Sequence, residues 1–522
     1  MMLVAVVTVF MCILTLVYFL VTKKKNYWKK KGLPHLKPSL ILGNYGDFIL
    51  LKKNLGLVID DICKQFPDAP LVGAFYGTEP ALIVKDPEYI KLVTTKDFYY
   101  FSGRELSEHT HKELFFKNVF AESGDYWKVV RQNLTPLFSS AKMKKMFYLI
   151  EDCTKVFDRL LDEEIQANDI QEVRYFMARF TLDCIGSCVF GLNSKVMEDN
   201  PNKNPFRMIA DKALNFSPDQ ILKAILRNVW PSIFYILRFK SFPEEVSNFF
   251  NDLLVNIFKE RNYKSTSRHD FVDLMLNLKE NDCIIGDGLK NLKTDLENKE
   301  RVSLKVDDEL LVAQSIVFFL AGFETSALTS SFALYELAKN EDAQRRVLEE
   351  VDDYIRRHDG QLGYECVTEL PYLNACLDET LRLYPVLTFL TREVVEDYTL
   401  PTGLMLEKGL RVHLPVYYMH RNPDYFPEPD QFRPERFLGE EKENIKPYTY
   451  FPFGEGPRIC IGMRFAKMQT MAGLITVLKK YRVELAKGMP RTVEFEPKTF
   501  VTISTSGINL KFISRRVVSN RG

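Results

Sequence analysis

Residues 1–22 contain no charged side chain and form one apolar run. A run of that length spans a bilayer as a helix. Past it, apolar residues recur mostly three and four apart, the stripe of an amphipathic helix. The longest such run is 307–338; residues 371–384 make another, ended by Pro385. Residues 150–191 also read as helical, with Phe176, Phe180, Ile185 and Val189 as expected core. Residues 463–480 carry Phe465, Met468, Met471, Leu474, Ile475 and Leu478 on one stripe. Short β-prone runs are the minority: residues 80–84 lead into Asp86-Pro87, a turn before a helix, and Val386 to Phe389 continue past Pro385 as an extended strand. Residues 98–120 are loop-like and aromatic. Residues 221–242 are apolar but punctuated by Lys223, Arg227, Arg238 and Lys240, which suits an interfacial helix or a packing surface. Residues 279–301 are charged and irregular, the composition of an exposed connection. The pattern predicts a mainly α body with a smaller β portion.

Composition adds bounds rather than detail. The 522 residues are 46% hydrophobic with a net charge of +1, so nothing global argues for nucleic acid. Nine cysteines without a CxxC pair fit a reducing compartment. Cys184 and Cys188 share a helix face and read as small core residues. Lys23, Lys24, Lys25, Lys29, Lys30 and Lys31 follow the apolar run. The positive-inside rule sets that side in the cytosol. A cleaved signal peptide is the competing reading, but no basic residue precedes the run and no small-residue cleavage site follows it. The expected organisation is a transmembrane signal anchor at 1–22, a basic, proline-rich hinge at 23–38 and a catalytic domain at 39–522.

Candidate chemistry concentrates in four places. The first is Phe453-x-x-Gly456-x-Arg458-x-Cys460-x-Gly462, a turn that ends at the mouth of the 463–480 helix. Free N–H groups and the positive dipole end favour a thiolate there. A thiolate so held, backed by Phe453, can be an axial ligand of haem iron. In the second, Trp127 and Arg131 stand four apart on one helix face and could donate to one carboxylate. The third is Glu324-Thr325, an acid and a hydroxyl inside the otherwise apolar 317–326 segment, where an unpartnered acid costs several kcal/mol. Gly322 and Thr325 weaken the helix locally, and Val317, Ala321 and Thr325 share a face with Leu320 beside it. In the fourth, Glu379 and Arg382 at i, i+3 can pair on one face.

Taken together these motifs resemble the cytochromes P450, and the runs 389–393 and 451–458 look most like the insect family-6-type microsomal members. The resemblance covers the whole chain and implies the P450 fold, with haem b held by the Cys460 thiolate. It implies that Trp127, Arg131, Arg392 and Arg458 hold the haem propionates. Phe453 and Gly462 shape the loop, which makes all of these cofactor-binding, with Cys460 the metal ligand. Glu324 and Thr325 are implied as the catalytic pair that manages protons. Phe115, Phe116 and Phe120 would cap the substrate pocket. Val317, Leu320, Ala321, Val386, Leu387 and Phe389 would line it, and the turn at Ser504 and Thr505 would close it. Glu379, Arg382 and Arg436 would lock the segment leading into the cysteine loop, a structural role. Residues 221–242 resemble the lid that touches both membrane and substrate channel. Two departures stand out: Ile459 before the cysteine, where that group often has Asn, and Arg104 in Ser102-Gly103-Arg104-Glu105, which falls outside the family's pattern and is left out of the site.

The implied activity is monooxygenation of lipophilic small molecules, xenobiotics such as plant compounds or insecticides, or endogenous lipophiles. No GxGxxG fingerprint is visible, so electrons must come from a partner. The family's donor is NADPH–cytochrome P450 reductase, with cytochrome b5 a further carrier. Lys128, Lys142, Lys144, Lys145, Arg464 and Lys467 could form its docking surface, equally well a plain solvated face. The expected location is the endoplasmic reticulum membrane with the body in the cytosol. Two other readings are a haem-thiolate isomerase or dehydratase that needs no external electrons, which the intact Glu324–Thr325 pair argues against, and a non-catalytic haem sensor or carrier.

Overall fold

The structure is a computed structural model. It describes residues 22–105, 107–200, 202–214, 217–293 and 299–515, together with Thr8, Met11, Thr15 and Tyr18. Apart from those four and Thr22, the expected anchor at 1–22 lies outside the described residues.

The body is built around the helix Asp308–Lys339, started by Asp307, whose side chain accepts the Leu310 N–H. Among the described residues this is the one helix long and apolar enough to cross a membrane, yet 72% of its apolar window is buried in the protein. Its apolar character serves the core. The helix runs unbroken through Gly322 and Thr325, so the expected loss of regularity is absent. Gly322 instead permits a close approach. A Cβ there would lie 2.3 Å from Cδ1 of Ile185 on the neighbouring helix Val173–Val189. The helix Met463–Leu478 packs nearby, and Gln469 Nε2 donates to Gly322 O at 3.1 Å.

The 150–191 run divides into two helices, Ser140–Ala167 and Val173–Val189, around the short strand Ile170–Glu172. That strand joins Tyr481–Leu485 and Asn509–Ser514 in a three-stranded antiparallel sheet. A larger sheet orders Leu71–Tyr76, Glu79–Val84, Arg411–Leu414 and Leu390–Glu393; the middle pair is parallel and the outer pairs antiparallel. Leu71–Tyr76 is buried along its whole length, which explains why it lacks the alternation of a half-exposed strand. Val386 to Phe389 precede the strand Leu390–Glu393 rather than forming one, and only Leu387 bridges to Val501.

Two expected connections are more ordered than their composition indicates. Residues 23–38 are docked on the larger sheet: Trp28 is fully buried and its indole N–H donates to Ala74 O at 2.8 Å. The Gly73 N–H donates to Pro34 O at 2.8 Å. An indole buried with its N–H satisfied is worth more than the freedom of a linker. Likewise, Cys283–Asp287 and Arg301–Lys305 pair as an antiparallel hairpin. Asp287 N–H donates to Gln132 Oε1 at 2.7 Å, fixing the hairpin to the helix Gly124–Leu134.

Candidate active site

The cysteine loop takes its shape from glycine. Gly456 has φ of +70°, and a Cβ there would meet Thr94 O at 1.8 Å, so any side chain would clash. Cys460 N–H donates to Phe453 O at 2.8 Å, and Gly462 caps the helix Met463–Leu478. The Cys460 thiol opens onto an interior cavity while lying deep in the body. Burial pushes its pKa up; the Gly462 N–H and the guanidiniums of Arg131 and Arg104 pull against that rise. The helix mouth therefore favours the thiolate as expected, but burial outweighs it in the protein alone.

Trp127 and Arg131 reach the same cavity from the helix Gly124–Leu134, and Phe120 from the segment before it. Val317, Ala321 and Thr325 of the central helix border it, as do Val386, Leu387, Arg392, Phe453, Arg458 and Gly462. So does Arg104, which the sequence reading set aside. Its neighbours Gly103 and Glu393 form a bridge that carries it beside Arg392, a long-range pairing with no trace in local spacing.

Four guanidiniums thus meet at one end of the cavity. Arg392 is pushed down to about 9 by burial and then by Arg104. Arg104 is pushed down to about 10 by burial and then by Arg131. Arg458 is pushed well below the usual arginine range by burial and then by Arg104, Arg392 and Arg131. Arg458 is also stacked on Trp127 at 4.2 Å and donates to Ser102 O at 2.8 Å, and Arg131 donates to Ile459 O at 2.6 Å. No carboxylate of the chain pairs with this group among the described ion pairs. Arg104 Nε, Arg392 Nε and Arg458 Nη1 are buried without an acceptor. Donors so placed call for anionic oxygens from a ligand. A haem, with two carboxylates at one edge and an iron for the Cys460 sulfur at its centre, fits that donor set.

Thr325 Oγ1 donates to Ala321 O at 2.6 Å, which leaves its oxygen to accept a hydrogen bond from the cavity. Glu324 does not border the cavity. Its carboxylate is 6% exposed and ion-paired with Arg174 at 2.6 Å. Successive residues of a helix point about 100° apart, so the adjacent acid and alcohol cannot both face one wall. Arg174, on the helix Val173–Val189, was invisible to local pattern.

Six expected pocket residues also lie off this cavity. Phe115 stacks on Phe242 at 3.5 Å and Phe116 lies under Arg227 at 3.8 Å, both in the cover above. Leu320 is turned into the surrounding core. Phe389 packs edge-on to His413 at 5.6 Å. Ser504 is spent on its own turn, its hydroxyl donating to Gly507 O at 2.9 Å. Thr505 is exposed and its N–H donates to Glu494 O at 3.0 Å.

Behind the loop, Glu379 and Arg382 are fully buried and joined by two bonds, Nε to Oε2 at 2.6 Å and Nη2 to Oε1 at 2.8 Å. Arg436 Nε approaches Glu379 Oε1 at 3.4 Å. Arg382 also donates to His420 O and Pro429 O, at 2.9 and 2.8 Å, tying the helix Pro371–Leu383 to the segment that precedes the loop.

A cysteine thiol facing a cavity rimmed by cations without counter-charges defines a haem-thiolate pocket in a mainly helical body. The family model described as Cytochrome P450 matches residues 33–512. The chain is 35% identical over 503 residues to Cytochrome P450 6B2 of Helicoverpa armigera, covering 96% of this chain and 97% of the relative. It is 36% identical over 490 residues to Cytochrome P450 6k1 of Blattella germanica (94% and 93%) and 33% identical over 504 to Cytochrome P450 6a8 of Drosophila melanogaster (96% and 97%). The chain belongs to the cytochrome P450 family. It is a haem-thiolate monooxygenase that uses dioxygen and electrons from a redox partner.

Proposed function

We propose that this monooxygenase acts on lipophilic small molecules at the cavity between Cys460 and the central helix. The observation that carries the reading is the Cys460 thiol sharing one cavity with four guanidiniums that lack counter-charges. When bound, the haem supplies the reductive activation of dioxygen and the insertion of one oxygen atom, the other leaving as water. Cys460 holds the iron as thiolate and lends it electron density. Trp127, Arg131, Arg392 and Arg458, joined by Arg104, hold the two propionates. Phe453 and Gly462 fix the loop. Phe120, Val317, Ala321, Val386 and Leu387 give the substrate an apolar wall and exclude water from it. Thr325 holds a proton at its hydroxyl, and Glu324, kept off the wall by Arg174, is the adjacent carboxylate. Glu379, Arg382 and Arg436 hold the loop in place.

The surface supports a membrane setting. Leu222, Ile233, Ile236 and Leu237 are exposed on the lid, with Leu40 and Ile41 on the larger sheet's side of the body. The reading is a microsomal protein with residues 1–22 as anchor, 23–38 as a docked connection and 39–522 as the cytosolic catalytic domain. Lys142, Lys145 and Arg464 are exposed and can meet an acidic electron donor, NADPH–cytochrome P450 reductase with cytochrome b5 as a further carrier. Lys144 and Lys467 already face Glu365 and Asp378, and Lys128 is half-buried.

The test is reconstitution of the full chain with haem, reductase and NADPH under isotopically labelled dioxygen, against a panel of apolar compounds. One labelled oxygen per product and strict NADPH dependence are expected. Conversion without NADPH would favour the isomerase or dehydratase reading. NADPH consumption unaffected by any compound, with no product, would favour a sensor or carrier.

A further inference from the structure

We propose that Glu113 is a latch that fastens the two covers of the cavity to each other and thereby selects ligands by size; this rests on the cavity being the substrate site. Glu113 lies in the aromatic segment ahead of the helix Gly124–Leu134, and its carboxylate is 9% exposed. Among the described residues, every close donor to it belongs to the opposite cover, the helices Pro218–Val229 and Pro231–Ile236 and the turn after them. Oε1 accepts from Tyr235 OH at 3.0 Å and Ser241 Oγ at 2.9 Å, and Oε2 from Ser241 N–H at 2.8 Å. The Arg227 guanidinium stands 3.7 Å away, donates from Nε to Tyr235 OH at 2.8 Å, and covers the Phe116 ring at 3.8 Å. The Phe115–Phe242 stack closes the same seam.

The rest of each cover is held independently. Val119 N–H donates to Gln314 Oε1 at 2.9 Å, fixing the aromatic segment to the central helix where Val119 and Phe120 meet the cavity. At the other side, Asn228 O accepts from Arg411 at 2.6 Å and Trp230 Nε1 donates to Thr78 Oγ1 at 3.3 Å, holding the lid to the larger sheet. The lid is therefore anchored at 228–230 and latched at 235–241. Glu113 supplies the carboxylate at that free edge, joining it to the aromatic segment beside the Phe115–Phe242 stack and the contacts of His109 and Lys112 with the Tyr235 ring. Replacing the carboxylate by an amide leaves Arg227 buried without a counter-charge and sets an NH2 against the Ser241 N–H, donor against donor, which favours opening of that edge. The wall, and so the environment of a small ligand, is untouched.

The test uses the full haem-loaded protein, with 1-phenylimidazole as a small probe and clotrimazole as a bulky one, each followed by its haem absorbance change. In Glu113→Gln the association and dissociation rate constants of clotrimazole should both rise at least fivefold, while those of 1-phenylimidazole stay within twofold. Hydrogen exchange should quicken in 231–243 and not in 314–329. Unchanged clotrimazole rates, or equal acceleration of both probes, would overturn the latch. Should Glu113→Gln lose haem, the pair Tyr235→Phe and Ser241→Ala removes two donors and leaves the carboxylate; it should accelerate clotrimazole alone, and unchanged rates would again refute the proposal. Failure of the substrate-site reading is seen separately, as probes that bind the parent protein without competing with any turned-over compound.

Discussion

Glu379→Gln removes one negative charge and almost no volume from the middle of the body. Oε1 of Glu379 accepts from Arg382 Nη2 at 2.8 Å and from Arg433 N–H at 2.9 Å, and Oε2 accepts from Arg382 Nε at 2.6 Å. An amide can copy the first oxygen but sets its NH2 against the Arg382 Nε–H, donor against donor. Arg382 and Arg436, both buried, then lack a counter-charge. Leaving a buried charge unpaired costs about 3–5 kcal/mol. Unfolding entropy of about 2.1 cal/mol/K per residue, over the roughly 480 residues of 33–512, comes to about 1 kcal/mol/K. Thermal unfolding of the haem-loaded protein at fixed scan rate should therefore shift down by about 3–5 °C, with the ferrous–CO spectrum of a thiolate-ligated haem retained below the transition. Arg382→Gln should lose a similar amount. The double variant should lose less than the sum by more than about 1 kcal/mol, because the pair acts as a unit. A Glu379→Gln protein that melts within about 1 °C of the parent, or two losses that simply add, would refute the argument.

Cys460→His should retain little or no monooxygenation even where haem stays bound, because imidazole lends less electron density than thiolate; the CO-bound band should move to that of a histidine-ligated haem, and an unchanged band with unchanged turnover would exclude Cys460 as ligand. Thr325→Val should keep pocket shape but lose the hydroxyl, lowering product per NADPH by severalfold with matching peroxide release, while Thr325→Ser keeps more coupling; equal coupling in all three would leave Thr325 without a proton role. His420 is pushed down to about 3 by burial and then by Arg382, and its Nε2 accepts the Phe451 N–H at 3.0 Å. A base with a pKa lowered by folding binds more protons when unfolded, so its stability is present above about pH 6.5 and lost as pH falls toward 3; between pH 6.5 and 4.5 the parent should lose about 2–3 kcal/mol more than His420→Gln, and parallel melting curves would remove His420 from the account. Deleting residues 1–22 should leave a haem protein with an unaltered CO spectrum that still binds membranes through its exposed lid; loss of haem would break the division between anchor and body.

Local pattern carried much of this protein. The stripe over 463–480 becomes the helix Met463–Leu478, and 307–338 becomes Asp308–Lys339, because amphipathic periodicity, caps and Pro385 act within a few residues of themselves. The cysteine loop was legible for the same reason: glycine, proline and cysteine at fixed spacing specify one short turn. What the sequence could not decide were the partnerships between distant segments. Glu324 and Thr325 are neighbours in the chain, but the helix points them apart, and Arg174, 150 positions earlier, takes the acid. Arg104 departs from the family's local pattern and still reaches the arginine cluster, because the Gly103–Glu393 bridge delivers it. The resemblance implies Phe115 and Phe116 as a cap on the pocket, and which partners they meet there, Phe242 and Arg227 of the lid, only the tertiary structure decides. Buried charges and rings are satisfied by whatever the topology brings near, and that is a property of the tertiary structure alone.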